Sequence, residues 1–298
     1  MSRGGILPAL EAIFAVLVWG ASFIATKVAL RDVSPVTVVW LRFAIGVLIL
    51  GGAVLARRQF AWPAPKELGY FALLGFLGIT FHQWLQSTGL QTSQASTTAW
   101  IVATTPIFMA LLGWLVLREK ISLRQALGIA LATGGVLLVV TGGDLVSLVK
   151  GQFGASGDIL ILISSLNWAV FSALSRRGLQ RHPATRMMFF VMLIGWLFTS
   201  LLFFASPGAG GPEEIALLTW QSWLGVLFLG VFCSGLAYIF WYDALQALPA
   251  SQVGAFLYLE PLVAMVVAAI ILGEPLLLAS IAGGGLILGG VWLVQSRG

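Results

Sequence analysis

The feature that most constrains this chain is a series of apolar segments that follow one another with only short polar connections. Each segment is close to the length of about 20 residues that one membrane helix needs. Of the 298 residues, 59% are hydrophobic and only 9% are charged, so nothing is left over for a folded soluble domain. The segments lie near residues 8–30, 34–56, 68–89, 93–117, 123–141, 157–177, 186–206, 221–246, 251–272 and 276–296.

These segments predict helices rather than strands. An open sheet leaves backbone N–H and C=O groups without partners in lipid, and the segments lack the alternation over about ten residues that marks an outer-membrane barrel. The expected fold class is therefore an all-α integral membrane protein with ten transmembrane helices.

The distribution of basic residues predicts the orientation. Twelve of the 16 Lys and Arg residues lie on the side of the N-terminus, Lys27, Arg31 and Lys150 lie on the opposite side, and Arg42 lies inside the second segment. Because basic residues collect on the cytoplasmic side, both termini are expected in the cytoplasm and the chain in the inner membrane of a bacterium. The net charge of +5 then reflects topology, and no nucleic-acid partner is expected.

The chain contains an internal repeat. Residues 95–140 align without a gap with residues 250–295, at a constant shift of 155. Each repeat holds five segments, an odd number, so the second copy is inverted relative to the first. This predicts an inverted 5+5 duplication with units at residues 1–148 and 149–298. The informative matches are Pro106 with Pro261, Glu119 with Glu274 and, more weakly, Trp19 with Trp168.

Inverted repeats are the structural basis of alternating access, so the duplication predicts a carrier with a substrate site near mid-depth. The expected cavity lies between segments 1–4 and 6–9. Glycine runs in segments 5 and 10 favour close helix packing outside that cavity. One chain carries both repeats, so a monomer can be sufficient.

Several motifs, in order and doubled across the halves, resemble the EamA family of the drug/metabolite transporter superfamily. They are Trp19-Gly20-x-Ser22-Phe23 with Lys27, Ser34-Pro35, Arg42-Phe43, Pro106, Glu119, Gly128 and Gly134-Gly135. Within this family the chain is similar to the YddG-type exporters. The resemblance implies efflux of neutral and aromatic amino acids and of some toxic compounds, and the outward direction rests on it alone.

Ionisable residues inside the segments are candidates for function. Arg42 lies seven residues past Pro35, about 10 Å below the outer surface at 1.5 Å per residue, and needs a partner. It could bind backbone carbonyls and order the fold, or it could bind a carboxylate or couple protons, as could Glu260. Lys27 is a third candidate for an ion pair or coupling, or else an interfacial residue. Glu274, at the end of its segment, is expected to help the next helix begin, as is its counterpart in the first repeat.

Polar and aromatic residues inside the segments form the predicted substrate site. His82, Gln83, Gln86 and Trp100 lie at one depth towards the outer side, and Tyr238 and Trp241 lie nearer the cytoplasmic side. Hydroxyl and amide groups can hold the two ends of a zwitterion while an aromatic plane holds its side chain. For the tryptophans among them helix packing is the alternative, and for the histidine a structural hydrogen bond. The candidates are His82, Gln83, Gln86, Thr97, Trp100, Thr104, Asn167, Trp168, Tyr238, Trp241 and Tyr258.

Other functions fit the sequence less well. No zinc-protease motif, nucleophile motif or pair of intramembrane aspartates is present, so no catalytic residue, metal or cofactor is expected. A channel would show rings of charge or a carbonyl filter. Among carriers, a pump for cationic drugs would rely on Glu260, and one for nucleotide-sugar-like anions would need several buried cations where only Arg42 is present. A small neutral metabolite such as an amino acid remains the expected substrate, with the lipid bilayer as surroundings.

Overall fold

The computed structural model describes residues 3–117, 121–144, 146, 154–205, 210–248, 253–254 and 256–295. Within these residues all regular structure is helical. Eight helices are long and apolar enough to cross a membrane, and two further apolar helices, Leu257–Leu272 and Leu278–Val294, are shorter. Over this part of the chain the helices overlap the predicted segments in position, and eight of them are long enough to confirm a predicted membrane span.

The first five helices occupy the first half of the sequence. They are α1 (Arg3–Ala29), α2 (Pro35–Ala56), α3 (Pro65–Gly75, continued by Phe76–Phe81 and His82–Gly89), α4 (Ala95–Val102 and Thr105–Leu117) and α5 (Leu123–Val140).

Five more helices occupy the second half, with a 3₁₀ turn at Pro212–Leu217 in the long connection between α7 and α8. They are α6 (Ser156–Leu179), α7 (Ala184–Ala205), α8 (Trp220–Leu227, continued by Phe228–Leu236 and Ala237–Ala247), α9 (Leu257–Leu259 and Glu260–Leu272) and α10 (Leu278–Gln295).

Local sequence sets several helix ends. The hydroxyl of Ser34 accepts the N–H of Thr37, and Pro35 occupies the first turn of α2, where a missing N–H does no harm. At the end of α9, Gly273 adopts the left-handed conformation, with φ +67°, that terminates many helices.

Helices α3 and α8 are not the uniform helices that the sequence predicts. Both contain a π-helical stretch, Phe76–Phe81 in α3 and Phe228–Leu236 in α8. In each stretch a backbone carbonyl accepts a hydrogen bond from a side chain of a neighbouring helix: Leu77 from Asn167 Nδ2 at 2.7 Å, and Cys233 from Trp19 Nε1 at 3.0 Å. Neighbouring helices therefore share carbonyls that a regular α-helix would use internally.

Helices α4 and α9 are also interrupted, and in both the interruption precedes a proline. The two parts of α4 meet between Val102 and Thr105, just before Pro106. In α9 a 3₁₀ turn at Leu257–Leu259 precedes Pro261. Because proline has no N–H and its ring clashes with the preceding turn, a continuous α-helix cannot pass either point undisturbed.

Glycines bring α5 and α10 together. A Cβ atom on Gly135 would lie 2.5 Å from the carbonyl oxygen of Gly283, and one on Gly128 would lie 2.6 Å from that of Gly290. Only residues without a side chain permit such an approach. The glycine runs of the sequence therefore serve packing, as expected.

The remaining helices pack across the two halves of the sequence. Helix α1 contacts α8 and α9, α6 contacts α3 and α4, and α2 contacts α7 and α8. Since consecutive helices alternate in direction, two ends of the bundle can be distinguished. We call the end at which α1 stops the Lys27 end, and the end at which α2 stops the Arg57 end.

Candidate functional site

Arg42, in the middle of α2, is buried with 4% of its surface exposed. Its Nε donates to the hydroxyl of Ser234 at 3.1 Å, and its Nη1 donates to Oε1 of Gln83 at 3.0 Å. Both partners are neutral. Among the described residues, the ion pairs join Lys27 to Glu274, Arg57 to Asp243 and His182 to Glu67, so Arg42 and Glu260 take part in none of them.

The packing of α2 on α8 explains why Arg42 meets Ser234. Gly46 lies one turn further along α2, and a Cβ atom there would be only 2.8 Å from the Cβ of Ser234. This close approach brings the Arg42 side chain within reach of the serine hydroxyl. Ser234 lies inside the π-helical stretch of α8, and Gln83 comes directly after that of α3, so both irregular stretches place a partner of Arg42.

Aromatic side chains of α1 and α8 form one wall beside this group. The ring of Trp19 lies edge-on to that of Tyr238, with centroids 5.9 Å apart, and 5.2 Å from that of Trp241. Tyr242 continues the row, 6.2 Å from Tyr238. We call these residues the α1–α8 wall.

A second wall is formed by α3 and α6. The rings of His82 and Trp168 lie 4.7 Å apart, and Phe171 follows Trp168 at 4.8 Å. The Nδ1 of His82 lies 3.1 Å from the carbonyl oxygen of Ser164, and since a carbonyl only accepts, this nitrogen carries the proton. We call this group the α3–α6 wall. His82 precedes Gln83, so this wall also adjoins the partners of Arg42.

Four other predicted site residues are buried in α3, α4 and α6. Gln86 is buried one turn beyond Gln83 on α3. Asn167 uses its amide to hold the carbonyl of Leu77, as described above. Thr97 and Thr104 are buried in α4, and Thr104 donates to the carbonyl of Ile101 in its own helix at 2.6 Å.

Trp100 contacts the helices outside the predicted cavity. Its indole lies against Gly284 of α10 and belongs to a buried cluster that includes Ala132 of α5. Tyr258 packs against the same cluster. Within the described chain the indole nitrogen of Trp100 has no hydrogen-bond partner. These contacts favour the packing alternative for Trp100.

At the Lys27 end, Lys27 and Glu274 join several helix ends. Lys27 donates to the carbonyl of Ser93 at 2.6 Å and lies 3.8 Å from Glu274 Oε1. The Glu274 carboxylate accepts the backbone N–H groups of Ala95 and Ser96 at 2.7 and 3.1 Å. Glu274 therefore helps a helix begin, but that helix is α4 and not the next one, α10. The corresponding Glu119 lies outside the described residues.

A cavity of about 470 Å³ opens beside this ion pair. Its lining includes Lys27, Arg31 and Glu274 with the amides Gln91 and Gln94. The cavity therefore presents charges of both signs at the Lys27 end of the bundle.

At the Arg57 end, the Arg57 guanidinium bridges three helices. It binds both carboxylate oxygens of Asp243, at 2.8 and 2.6 Å, and donates to the hydroxyl of Thr185 at 2.8 Å. The hydrogen bonds with Asp243 raise the pKa of Arg57 above its ordinary value. This bidentate pair connects the end of α2 with α8 and with the start of α7.

Sequence reasoning did not single out Ser234 or Asp243. A serine in a membrane helix is too common to attract notice. A signal was available, since Gly75, just before the irregular stretch of α3, and Gly230, inside that of α8, repeat at the same shift of 155.

Comparisons with known proteins agree on one family. The profile of the EamA-like transporter family matches residues 6–141 and again 155–296. A protein of Archaeoglobus fulgidus named an uncharacterized transporter is 27% identical over 94% of this chain and 94% of its own. A Salmonella typhimurium protein named a probable amino-acid metabolite efflux pump is 26% identical over 95% of this chain and 92% of its own.

A solved crystal structure of another protein has the same fold. It superposes with a TM-score of 0.68 over 97% of this chain and 96% of that one, at 20% sequence identity. The two family matches together cover nearly the whole chain. The chain therefore belongs to the EamA-like transporter family.

Proposed function

We propose that this protein is a carrier that exports neutral amino acids, aromatic ones included, by alternating access. The observation that carries the proposal is the pair of aromatic walls beside the buried Arg42, Gln83 and Ser234. Aromatic planes can hold an apolar side chain, and the polar groups can hold the charged end of an amino acid. The name of the Salmonella typhimurium relative supports the substrate class and the outward direction.

The fold that we propose for this function is an inverted repeat of five helices each, with units at residues 1–148 and 149–298. The glycine contacts of α5 and α10 support it. A shift of 155 converts Gly128 into Gly283 and Gly135 into Gly290, so the contact of Gly128 with Gly290 becomes that of Gly283 with Gly135. Such reciprocal contacts are the mark of a two-fold relation between like parts. The twofold match of the family profile supports the same division.

The helix contacts follow the same exchange. The repeat pairs α1 with α6, α3 with α8 and α4 with α9. Under this exchange the packing of α1 on α8 and α9 corresponds to the packing of α6 on α3 and α4, and both are present. In the first two helices of each unit the shift is 149, which pairs Trp19 with Trp168 and Gly46 with Gly195. The change from 149 to 155 falls in the long connection that contains Pro212–Leu217. The helices that carry the two walls are thus counterparts of each other, with Trp19 and Trp168 as their matched aromatic residues.

Alternating access follows from this relation, because each unit can adopt the conformation of the other. The excess of basic residues supports placing the Arg57 end and both termini in the cytoplasm of a bacterium, with the chain in the inner membrane. Because a single chain carries both units, we propose that a monomer is sufficient.

Counterflow in liposomes tests the proposal. Purified protein is reconstituted, the liposomes are preloaded with one unlabelled compound, and the uptake of labelled phenylalanine is measured. We expect uptake when the liposomes contain neutral amino acids. Because Trp168 belongs to the α3–α6 wall, Trp168→Ala should slow counterflow by about 2- to 10-fold, the range expected for the loss of one aromatic contact. The control is Trp62→Ala, since Trp62 is 78% exposed.

One observation favours a second candidate, the efflux of cationic compounds. Glu260 makes no ion pair within the described chain, and its backbone carbonyl lies against Gly20, next to Trp19. A carboxylate there could bind a cation beside the α1–α8 wall. If a preloaded cationic drug supports counterflow, no amino acid does, and Glu260→Gln abolishes the drug-driven counterflow, then cation efflux takes the place of amino-acid export as the function.

A further inference from the structure

We propose that Arg42 binds the carboxylate of the transported molecule; the inference rests on the carrier function proposed above. It assigns the central cluster to a monocarboxylate with an apolar or aromatic body. Arg42 is then the residue that distinguishes such an acid from an amine of the same shape.

The hydrogen bonds of Arg42 leave donors available. A guanidinium has five N–H donors, and the bonds to Ser234 and Gln83 use one on Nε and one on Nη1. No hydrogen bond within the described part of the chain uses Nη2. A guanidinium can bind the two oxygens of a carboxylate either through Nη1 and Nη2 or through Nε and Nη2, and Nη2 belongs to both pairs. A carboxylate at Nη2 could therefore also use Nη1 or Nε, sharing it with Gln83 or Ser234.

The charge of Arg42 also has no carboxylate partner among the residues that the structure describes. A buried charge is stable only when it is paired and hydrogen-bonded, and inside a membrane the penalty for an isolated charge is high. Lys27 and Arg57, at the two ends of the bundle, each have a carboxylate from the protein itself. Arg42 instead has two neutral partners, Ser234 and Gln83. A carboxylate brought by the substrate supplies the missing charge.

The surroundings fit the rest of such a molecule. The α1–α8 wall adjoins Arg42 through Tyr238, which lies one turn after Ser234 on α8, and the α3–α6 wall adjoins it through His82, which precedes Gln83 on α3. The backbone carbonyl of Glu260 lies against Gly20, and the neighbouring Trp19 binds the carbonyl of Cys233, next to Ser234. A substrate ammonium group would thus have the Glu260 carboxylate in the same region, while its own carboxylate binds Arg42.

Three ligands that share one phenyl ring separate the contributions. Phenylalanine carries both charges, 3-phenylpropionate carries only the carboxylate, and phenethylamine carries only the ammonium group. Binding of each to the purified full-length protein is measured by isothermal titration calorimetry, for the wild type and for Arg42→Gln. We expect the variant to bind both carboxylates about 10- to 100-fold more weakly, the range for a charged hydrogen bond, and to bind phenethylamine as before.

A second variant places the missing charge in the protein. Gln83→Glu keeps the shape of the side chain but gives Arg42 a permanent carboxylate partner, which should favour folding. We expect it to weaken both carboxylate ligands by at least about 10-fold and to leave phenethylamine unchanged or tighter. Arg181→Gln is the control, because Arg181 is an exposed arginine outside the cluster.

The outcomes distinguish this inference from the proposed function. Carboxylate binding that is unchanged in both variants, or binding of all three ligands weakened alike, overturns the role of Arg42. If the wild type binds 3-phenylpropionate through Arg42 but not phenylalanine, the inference stands and amino-acid export falls. If the wild type binds neither carboxylate, both fall.

Discussion

The glycine contact between α5 and α10 can be tested with a single methyl group. Gly135→Ala would place a Cβ atom 2.5 Å from the carbonyl oxygen of Gly283 and 2.9 Å from the backbone nitrogen of Ile287. Both neighbours are backbone atoms of α10, so no side-chain rotation can relieve the contact. The helices have to move apart.

The size of the effect follows from these distances. Ordinary contact begins at 3.4 Å, so α5 and α10 must separate by about 0.9 Å. A gap of that size removes a substantial part of the dispersion energy along the interface, and overpacking of this kind costs about 1–3 kcal/mol. For a chain of this length that loss corresponds to a fall of about 2–5 °C in the unfolding midpoint.

The chain provides its own probe for the measurement. Cys233 is its only cysteine and is completely buried in α8. A maleimide dye that fluoresces on reaction with a thiol therefore reports unfolding as the purified protein is heated in detergent. No engineered label is required.

Neighbouring glycines are matched controls. A Cβ on Gly134 or on Gly285 meets nothing within 4 Å, so Gly134→Ala and Gly285→Ala should leave the midpoint unchanged or raise it slightly. Gly283→Ala should lower it like Gly135→Ala, since it enters the same contact from α10. If Gly134→Ala and Gly135→Ala melt at the same temperature, the close contact does not stabilise the protein and the reasoning is wrong.

Two further predictions also concern thermal unfolding; the first uses the same dye, and the second uses intrinsic tryptophan fluorescence, because a maleimide reacts too slowly with a thiol below about pH 5. Glu274→Gln removes the charge that caps the start of α4 and should lower the free energy of unfolding by about 1 kcal/mol, whereas the exposed Glu213→Gln should not; equal effects would contradict the capping role. Hydrogen bonds from Ser222 and Thr219 lower the pKa of Asp32, so its stabilisation is complete above the unfolded pKa of about 3.9 and is lost as pH falls through the lower folded value. The midpoint difference between wild type and Asp32→Asn should accordingly shrink between pH 5 and pH 3, and a constant difference would refute the assignment.

The helices could be predicted from the sequence because lipid leaves few alternatives. The segment at 34–56 is the clearest case: it became α2, Pro35–Ala56, with a serine cap and a first-turn proline visible in the sequence. In the same way, the glycine runs predicted close helix packing for α5 and α10, but not that the two helices pack on each other. Helix position, helix capping and glycine spacing depend on residues that are close together in the chain or on the lipid that surrounds the helices.

The π-helical stretches could not be predicted, because their hydrogen bonds come from distant residues. Asn167 reaches Leu77 across 90 positions, and Trp19 reaches Cys233 across 214. Nothing within α3 or α8 alone indicates that a neighbouring side chain takes up a carbonyl. Such partners become known only when the rotation of each helix about its axis is known.

The same limit applies to the site. Depth along a helix can be counted from the sequence, and it placed Arg42, His82 and Trp100 at comparable levels. Direction around the helix axis cannot be counted in this way. The approach of α2 to α8 at Gly46 turns Arg42 towards Ser234, whereas Gly284 leaves room for Trp100 against α10. Depth alone therefore left backbone carbonyls or a carboxylate as the partner of Arg42, and packing gave it Gln83 and Ser234.

Three cations of the described chain, Arg42, Lys27 and Arg57, differ in a way that bears on transport. Lys27 and Arg57 hold helices together at opposite ends, and each is neutralised by a carboxylate of the chain. A carrier needs such closures at its ends, where water can replace a broken ion pair at little cost. At mid-depth no water is assured, and a permanent carboxylate beside Arg42 would occupy the place of a ligand. A guanidinium held by two neutral groups is fixed in position yet still attractive to an anion, which is the property that a reversible carboxylate site at the centre of a membrane requires.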